Sequence, residues 1–255
     1  MDVWFHGYNC LLAPSNWSIL PFACTNRLYV VLGGHACFLS EAGELPLRKD
    51  HLYLFPHRLP FRVRQDANDR INHLYFDFVL TPPLTGDQVI ELSLERDSII
   101  GHTVAALLLA VKPYAQRTSA DETLVRRYFL NLLQLVLEQS GTCPLADERL
   151  TPVLSCMHER FAQPLSDADF CRMAHLEKNH FIRVFKRAMG MTPYQYLREY
   201  RLNRATVLIE QGTTVSEAAV LCGFESAASL SHAMRRSRGL SPTAAAGRMK
   251  KAQKE

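Results

Sequence analysis

Apolar positions recur every second residue over roughly the first third of the chain and every third or fourth residue after that. From about Trp4 to Leu80 the pattern is strand-like. Leu28-Tyr29-Val30-Val31-Leu32 is a β-rich run ended by Gly33-Gly34, and Ala36-Cys37-Phe38-Leu39 follows before a turn around Glu41-Ala42-Gly43-Glu44. His51-Leu52-Tyr53-Leu54-Phe55 is stopped by Pro56, and Phe61-Arg62-Val63-Arg64 alternates. Between Ile71 and Leu80, Leu74, Phe76 and Phe78 share one face while Tyr75, Asp77 and Val79 share the other. Short strands with turn signals at this spacing predict a small antiparallel barrel or jelly roll.

Pro82-Pro83 closes that region, and the period becomes helical. Thr85 to Arg117 reads as broken helices with Val104–Val111 as a buried segment, and Asp121 to Gln139 as one continuous helix. In that helix Leu124, Tyr128, Leu132, Leu135 and Gln139 fall three and four apart, flanked by Val125, Phe129, Leu133 and Val136. The surface is wider than one core face needs, so it serves either packing on the barrel or a subunit interface. Ser140 to Asp147, with Gly141 and Pro144, reads as a linker, and Glu148 to Phe161 as the supporting helix that opens a second domain.

The last hundred residues contain a repeat. Ser166-x-x-Asp169 and Thr214-x-x-Glu217, 48 positions apart, both have the form of a capping box, in which each side chain satisfies the other residue's backbone N–H. Ala174 answers Cys222 and Leu176 answers Phe224 at the same offset. Beyond the turn the offset becomes 49, pairing Phe181 with Leu230, Phe185 with Met234 and Gly190 with Gly239, so the second turn holds one extra residue. Each copy is a capped helix, a tight turn and a second helix, the size of a helix-turn-helix unit. Between the copies Thr192 caps a long helix that starts at Pro193 and stops near Gly212. Its Tyr194, Leu197, Ala205 and Leu208 predict one buried stripe, and Arg201 points toward that stripe as a structural arginine.

Charge sharpens this picture. The net charge of +4 divides into −2 for residues 1–140, with 12 Lys/Arg against 14 Asp/Glu, and +6 for residues 141–255, with 17 against 11. A basic excess confined to the repeat suits a polyanion, although a solvated basic surface would look the same by charge alone. The 7 cysteines form no C-x-x-C pair, which indicates neither a disulfide framework nor a zinc site. The longest apolar run, Val104 to Val111, is too short to span a membrane, and no signal peptide is expected. Reduced thiols in a cytosol are therefore expected.

In the first unit the second helix places Phe181, Val184 and Phe185 inward and Lys178, Asn179, Ile182, Arg183 and Lys186 outward. Asn pairs with adenine and Arg with guanine through two hydrogen bonds, Lys suits phosphate, and Ile offers apolar contact to a thymine methyl. The segments HFIRVFKRAMGMTPYQYLREYRLNRA and VSEAAVLCGFESAASLSHAMRRSRGLSP make residues 148–249 resemble the DNA-binding domain of the AraC/XylS family of bacterial transcription regulators. The resemblance implies that the second helix of each unit enters a major groove. Asn179, Ile182 and Arg183 are then the base-facing positions of the first unit, and Ser229, Ser231 and His232 those of the second. Lys178, Lys186, Arg187, Arg235 and Arg236 complete the expected DNA-facing set.

Two departures from the family pattern change the expectation. His175 stands in the first turn where the family usually has glycine, and Ala227, Ala228 and His232 replace two polar residues and an arginine. The second unit is therefore expected to anchor phosphates, through Arg235, Arg236 and Arg238, while the first reads most of the sequence.

LPLRKDHLYLFPHRLPFRV resembles, more loosely, the cupin-like sensor of the same family, and Arg27, Tyr29, His57 and Tyr75 are candidate pocket residues for an effector. A cupin metal enzyme would hold its metal through closely paired histidines. Here His35, His51, His57 and His73 stand singly, so no metal, cofactor or catalytic residue is assigned.

The expected fold is α+β, with an N-terminal cupin-like antiparallel barrel and an all-α C-terminal domain. Its parts are a sensor barrel at 1–84, a helical dimerisation segment at 85–140, a linker at 141–147 and a DNA-binding domain at 148–250. The expected function is a sequence-specific transcription regulator of the activating kind. Its expected partners are promoter DNA, RNA polymerase, a small-molecule effector and a second copy of itself. The alternative is a regulator without an effector, controlled by its own amount or by a protein partner.

Overall fold

The computed structural model describes residues 2–13, 25–41, 43–57, 59, 62–81, 84, 88–112, 116–142 and 147–244. The Pro82-Pro83 break, Phe61 and Pro144 lie outside the described residues.

The fold is α+β. Among the described residues, eight strands form the N-terminal part: β1 (Asp2–Leu12), β2 (Asn26–Gly33), β3 (Ala36–Ser40), β4 (Gly43–Leu47), β5 (His51–Phe55), β6 (Val63–Gln65), β7 (Asn72–Thr81) and β8 (Ile90–Ser93). They pair antiparallel in a five-stranded sheet of order β1-β7-β2-β5-β8 and a three-stranded sheet of order β4-β3-β6. The larger sheet is buried on both faces, which is why β2 reads as a continuous apolar run. Tyr29, Val31, Tyr53 and Phe55 meet Ala36, Phe38 and Leu47 of the smaller sheet. Leu28, Val30, Leu52, Leu54, Leu74, Phe76 and Phe78 face the other way, onto two helices.

Those helices are α1 (Ile99–Ala110) and α2 (Ser119–Ser140). Thr118 and Asp121 form a capping box at the start of α2, where the Lys112 ammonium lies 2.8 Å from the Asp121 carboxylate. Val125, Phe129, Leu132, Leu133, Val136 and Leu137 of α2 are buried against α1 and the sheet. Phe129 sits among Phe5, Phe76 and Phe78 at ring-centroid distances of 4.5 to 5.0 Å.

Three expectations change here. The turn expected through Glu44 gives way at Gly43 to strand β4, whose Pro46 lies on the sheet's outer strand, where a missing N–H is tolerated. Within the stretch read as broken helices, Ile90–Ser93 is a strand paired with β5, because that edge was left open. Of the broad apolar surface of α2, Leu132 is fully buried by its own domain and Tyr128 and Leu135 pack partly against that core, while Leu124 is 44% exposed.

In the C-terminal domain a short 3-10 turn (Glu148–Leu150) leads into α3 (Thr151–Glu159). The first helix-turn-helix is α4 (Asp167–Ala174) with α5 (Lys178–Met189), and the second is α7 (Val215–Leu221) with α8 (Ala227–Arg238). Between them runs α6 (Pro193–Glu210), capped by Thr192 and Gln195 as a reciprocal pair. Its 18 residues span about 27 Å at 1.5 Å each.

The single buried stripe expected on α6 is replaced by two buried sides, one toward each unit. Tyr196 and Leu197 enter the first unit's core, whereas Leu202, Ala205 and Ile209 enter the second's. At about 100° per residue these two sets lie on roughly opposite sides of the helix. Tyr194, expected inside, is 70% exposed. No helix among the described residues is long and apolar enough to cross a membrane.

Burial of Leu132 yields a prediction. Leu132→Asp should destabilise the N-terminal domain by about 3 kcal/mol or more, since it places an unpaired charge in a closed core. A lowered melting temperature at every protein concentration is the expected result. A variant that melts normally and changes only its sedimentation would contradict it.

Candidate nucleic-acid interface

The two helix-turn-helix units begin alike. Ser166 with Asp169, and Thr214 with Glu217, each exchange side-chain and backbone hydrogen bonds of 3.1 to 3.3 Å at the start of α4 and α7. The turn after α4 is made by His175 in the left-handed conformation, at φ 52° and ψ 43°, and the equivalent Gly223 has φ 72°. A non-glycine side chain is tolerated there at some cost.

In α5, Phe181, Val184, Phe185, Ala188 and Met189 are buried. Lys178, Asn179, Arg183, Lys186 and Arg187 are exposed on the opposite face, with Ile182 half-buried beside them. Among these, Lys178 is tethered, its ammonium 3.2 Å from the Asp167 carboxylate. The first unit therefore presents cations, an amide and one apolar side chain on a single rigid surface.

The second unit differs. On α8, His232, Arg235 and Arg236 are exposed, while Ser229 and Ser231 are half-buried. The Ser229 hydroxyl donates to the Ser226 carbonyl at 2.8 Å and accepts the Ser226 N–H at 3.1 Å. With Ser226 it forms a capping box that the sequence reading missed, so its hydrogen is committed to the helix start.

Arg238, expected among the phosphate anchors, is buried instead. Its guanidinium donates to the Thr206 hydroxyl at 2.8 Å and to the Asn203 side-chain oxygen, both on α6. Beside it the Ser237 hydroxyl lies 2.8 and 2.9 Å from the two Glu199 carboxylate oxygens. Arg238 thus docks α8 on α6, and its buried donors have partners that a helix-surface reading could not supply.

In the first unit the corresponding polar contact joins α3 to α6. His158 lies with Nε2 2.8 Å from the Tyr196 hydroxyl and its ring stacked 4.7 Å from Tyr200.

Residues 170–248 match the family described as helix-turn-helix domain. LumQ of Photobacterium leiognathi, named a probable transcriptional regulator, is 37% identical over 131 residues, covering 49% of this chain and 52% of LumQ. RhaR of Mannheimia succiniciproducens, named an HTH-type transcriptional activator, is 32% identical over 100 residues, covering 38% and 36%. The C-terminal domain is an AraC-type helix-turn-helix domain.

The chain spans about half, or less, of the length of these curated relatives. The AraC-type domain and the strands before it together share the fold of ToxT from Vibrio cholerae, with a TM-score of 0.59 at 11% identity over 95% of each chain.

Ahead of the AraC-type domain, the candidate sensor residues lie close together. Arg27 and Tyr29 of β2 are buried, as is His57 after β5, and Tyr75 of β7 is half-buried. The structure adds two residues the sequence reading passed over. Asp77 lies 3.4 Å from Arg27, and the His73 ring is 4.7 Å from that of Tyr29. Burial raises the Asp77 carboxyl above its usual range, with Arg27 opposing. The alternation of β7 placed Tyr75 and Asp77 on one face, and the β2–β7 register, Arg27 opposite Asp77 and Tyr29 opposite Tyr75, was the missing link.

Burial also holds His158 and His73 neutral, pushing each pKa from 6.5 down to about 3. The unfolded chain takes up the proton as pH falls through about 6.5, and the folded protein does not. The stability each contributes is whole above that pH and is lost progressively toward pH 3. Melting temperature should therefore fall between pH 7 and 5, above the range where the carboxylates of Asp121, Asp169 and Glu217, held low chiefly by Lys112, Ser166 and Thr214, act. His158→Gln should flatten that slope, and an unchanged slope would contradict the assignment.

Proposed function

We propose that this chain is a sequence-specific DNA-binding transcription regulator that activates its target promoters. Two AraC-type units on one connecting helix present α5 and α8, and the observation that carries the reading is the exposed set on α5: Lys178, Asn179, Arg183, Lys186 and Arg187. They form one face over a closed apolar core, the arrangement that direct reading of a major groove requires.

In this reading Asn179, Ile182 and Arg183 read bases, and Lys178, Lys186 and Arg187 approach phosphates. His232, Ser231 and Ser229 face the second groove, with Arg235 and Arg236 on its phosphates. Since Ser229 already caps α8, the second unit serves chiefly as an anchor. The region around Arg27, Tyr29, His57 and Tyr75 holds a small-molecule effector, and no catalysis is assigned. The protein acts in the bacterial cytoplasm as a homodimer, with RNA polymerase as its partner at the promoter. Leu132, being interior, is not part of the subunit contact.

Selection from random DNA, followed by binding measurements, tests the reading. Arg183→Ala should cost about 1–3 kcal/mol and relax preference at one base pair, as a lost two-bond contact does. His232→Ala should cost less and leave the preferred sequence unchanged. Equal losses would show that both units read bases. Arg235→Ala should lower the salt dependence of binding by about one counterion, whereas Arg238→Ala should lower the melting temperature through its lost partners on α6.

A further inference from the structure

Arg201, at the middle of α6, directs its guanidinium at backbone rather than at any carboxylate. Nε donates to the Phe161 carbonyl at 2.6 Å, Nη2 to the Gln163 carbonyl at 2.8 Å and Nη1 to the Gly223 carbonyl at 3.2 Å. The first two acceptors lie between α3 and α4, in the first unit. The third lies in the turn of the second unit. One half-buried cation therefore bonds to both units at once, and charged donors of this kind make the stronger hydrogen bonds.

The segment it holds is itself wedged between the units. The Phe161 side chain packs against both cores, with its ring edge-on to Tyr200 at 5.5 Å and the Arg204 guanidinium 5.9 Å from its centroid. Gly223 abuts the same segment. A Cβ there would meet the Ala162 carbonyl oxygen at 2.4 Å, so the second unit's turn rests directly on the loop's backbone. At the equivalent place in the first unit His175 is exposed and carries a full side chain. The contact occurs once, where the units meet.

Each core takes its α6 residues from its own side of the helix, and among the described apolar side chains Phe161 packs against both. Ser237 and Arg238 stop α8 from sliding on α6, but they tie the second unit only to the helix. Unit is tied to unit by Arg201 and the loop.

We propose that Arg201, acting through the Phe161–Gln163 segment with Gly223 as its abutment, is a positioning clamp. It sets the angle between α5 and α8 and thereby the spacing of the two DNA segments that the domain can engage together. The proposal rests on the DNA-binding reading above.

The test uses the full chain and a duplex selected by the wild type from random DNA. Further duplexes carry an unpaired bulge of one or two nucleotides between the two protected segments, which changes the spacing and angle of the second segment's phosphates relative to the first segment's bases. A shorter duplex carries only the first unit's segment. Wild type should weaken roughly tenfold or more on altered spacing, by analogy with a mismatched site. Arg201→Ala should vary by less than about threefold across the series and bind the short duplex within about twofold of wild type, less than 1 kcal/mol in either case. Arg201→Lys should behave like the alanine variant, because one ammonium cannot span three carbonyls in a fork. Gly223→Ala attacks the same contact from the other unit and should also change the spacing profile. Circular dichroism verifies folding, and if Arg201→Ala fails to fold, the other two variants decide.

Variants that keep the wild-type profile overturn the clamp. A wild type that protects both segments yet tolerates every spacing also overturns it, while leaving DNA binding intact. A wild type that selects no sequence removes the DNA-binding reading itself, and the clamp with it.

Discussion

The C-terminal domain depends on one helix having to serve two cores. α6 is buried on roughly opposite sides along its two halves, because each helix-turn-helix is too small to close a core alone and borrows part of α6 to do so. A helix buried on two sides would normally be apolar on both. This one also has Glu199, Asn203 and Thr206 inside, and each finds a partner from the second unit or the helix itself: Ser237, Arg238 and the Leu202 carbonyl. These polar contacts give α8 one register on the connector, which an apolar seam would fix less sharply.

The same constraint explains the asymmetry between the units. Gly223 must be glycine because the α3–α4 loop occupies the space where a side chain would stand, whereas His175 at the equivalent turn faces solvent. The residue inserted in the second turn accompanies a second difference. α8 starts from a full Ser226–Ser229 capping box, while Glu177 before α5 makes no side-chain cap. Repeated sequence has thus produced two units of one shape with different surfaces, one presenting exposed cations and an amide and the other using part of its polar set for its own architecture.

In the N-terminal domain the governing constraint is a sheet covered on both faces. β2 and β5 supply apolar side chains to the helices and to the smaller sheet alike. Among the buried polar groups described there, Arg27 pairs with Asp77 and Tyr29 stacks with His73. That buried cluster and the face of α5 are the two places where chemistry is concentrated, and the β1 and β7 strands pack against α6 and α3 between them.

Local signals carried much of this in the sequence. Capping pairs, glycines at left-handed helix ends, Pro193 at a helix start and the 48-residue repeat are each short-range chemistry, and they specified the helix-turn-helix units and the outward face of α5. Alternation in β7 likewise sorted Leu74, Phe76 and Phe78 from Tyr75 and Asp77. What only tertiary structure decided was whatever depends on a partner distant in the chain. β8 is a strand because β5 offers an edge, and Leu132 is interior because α1 and the sheet cover it. Arg238 is a dock rather than a phosphate anchor because Asn203 and Thr206 lie beneath it, and Arg201 bonds two units because the loop and the turn converge on it. Periodicity tells which side of an element is apolar, but the energy of burying a charge is set by the groups that come to meet it.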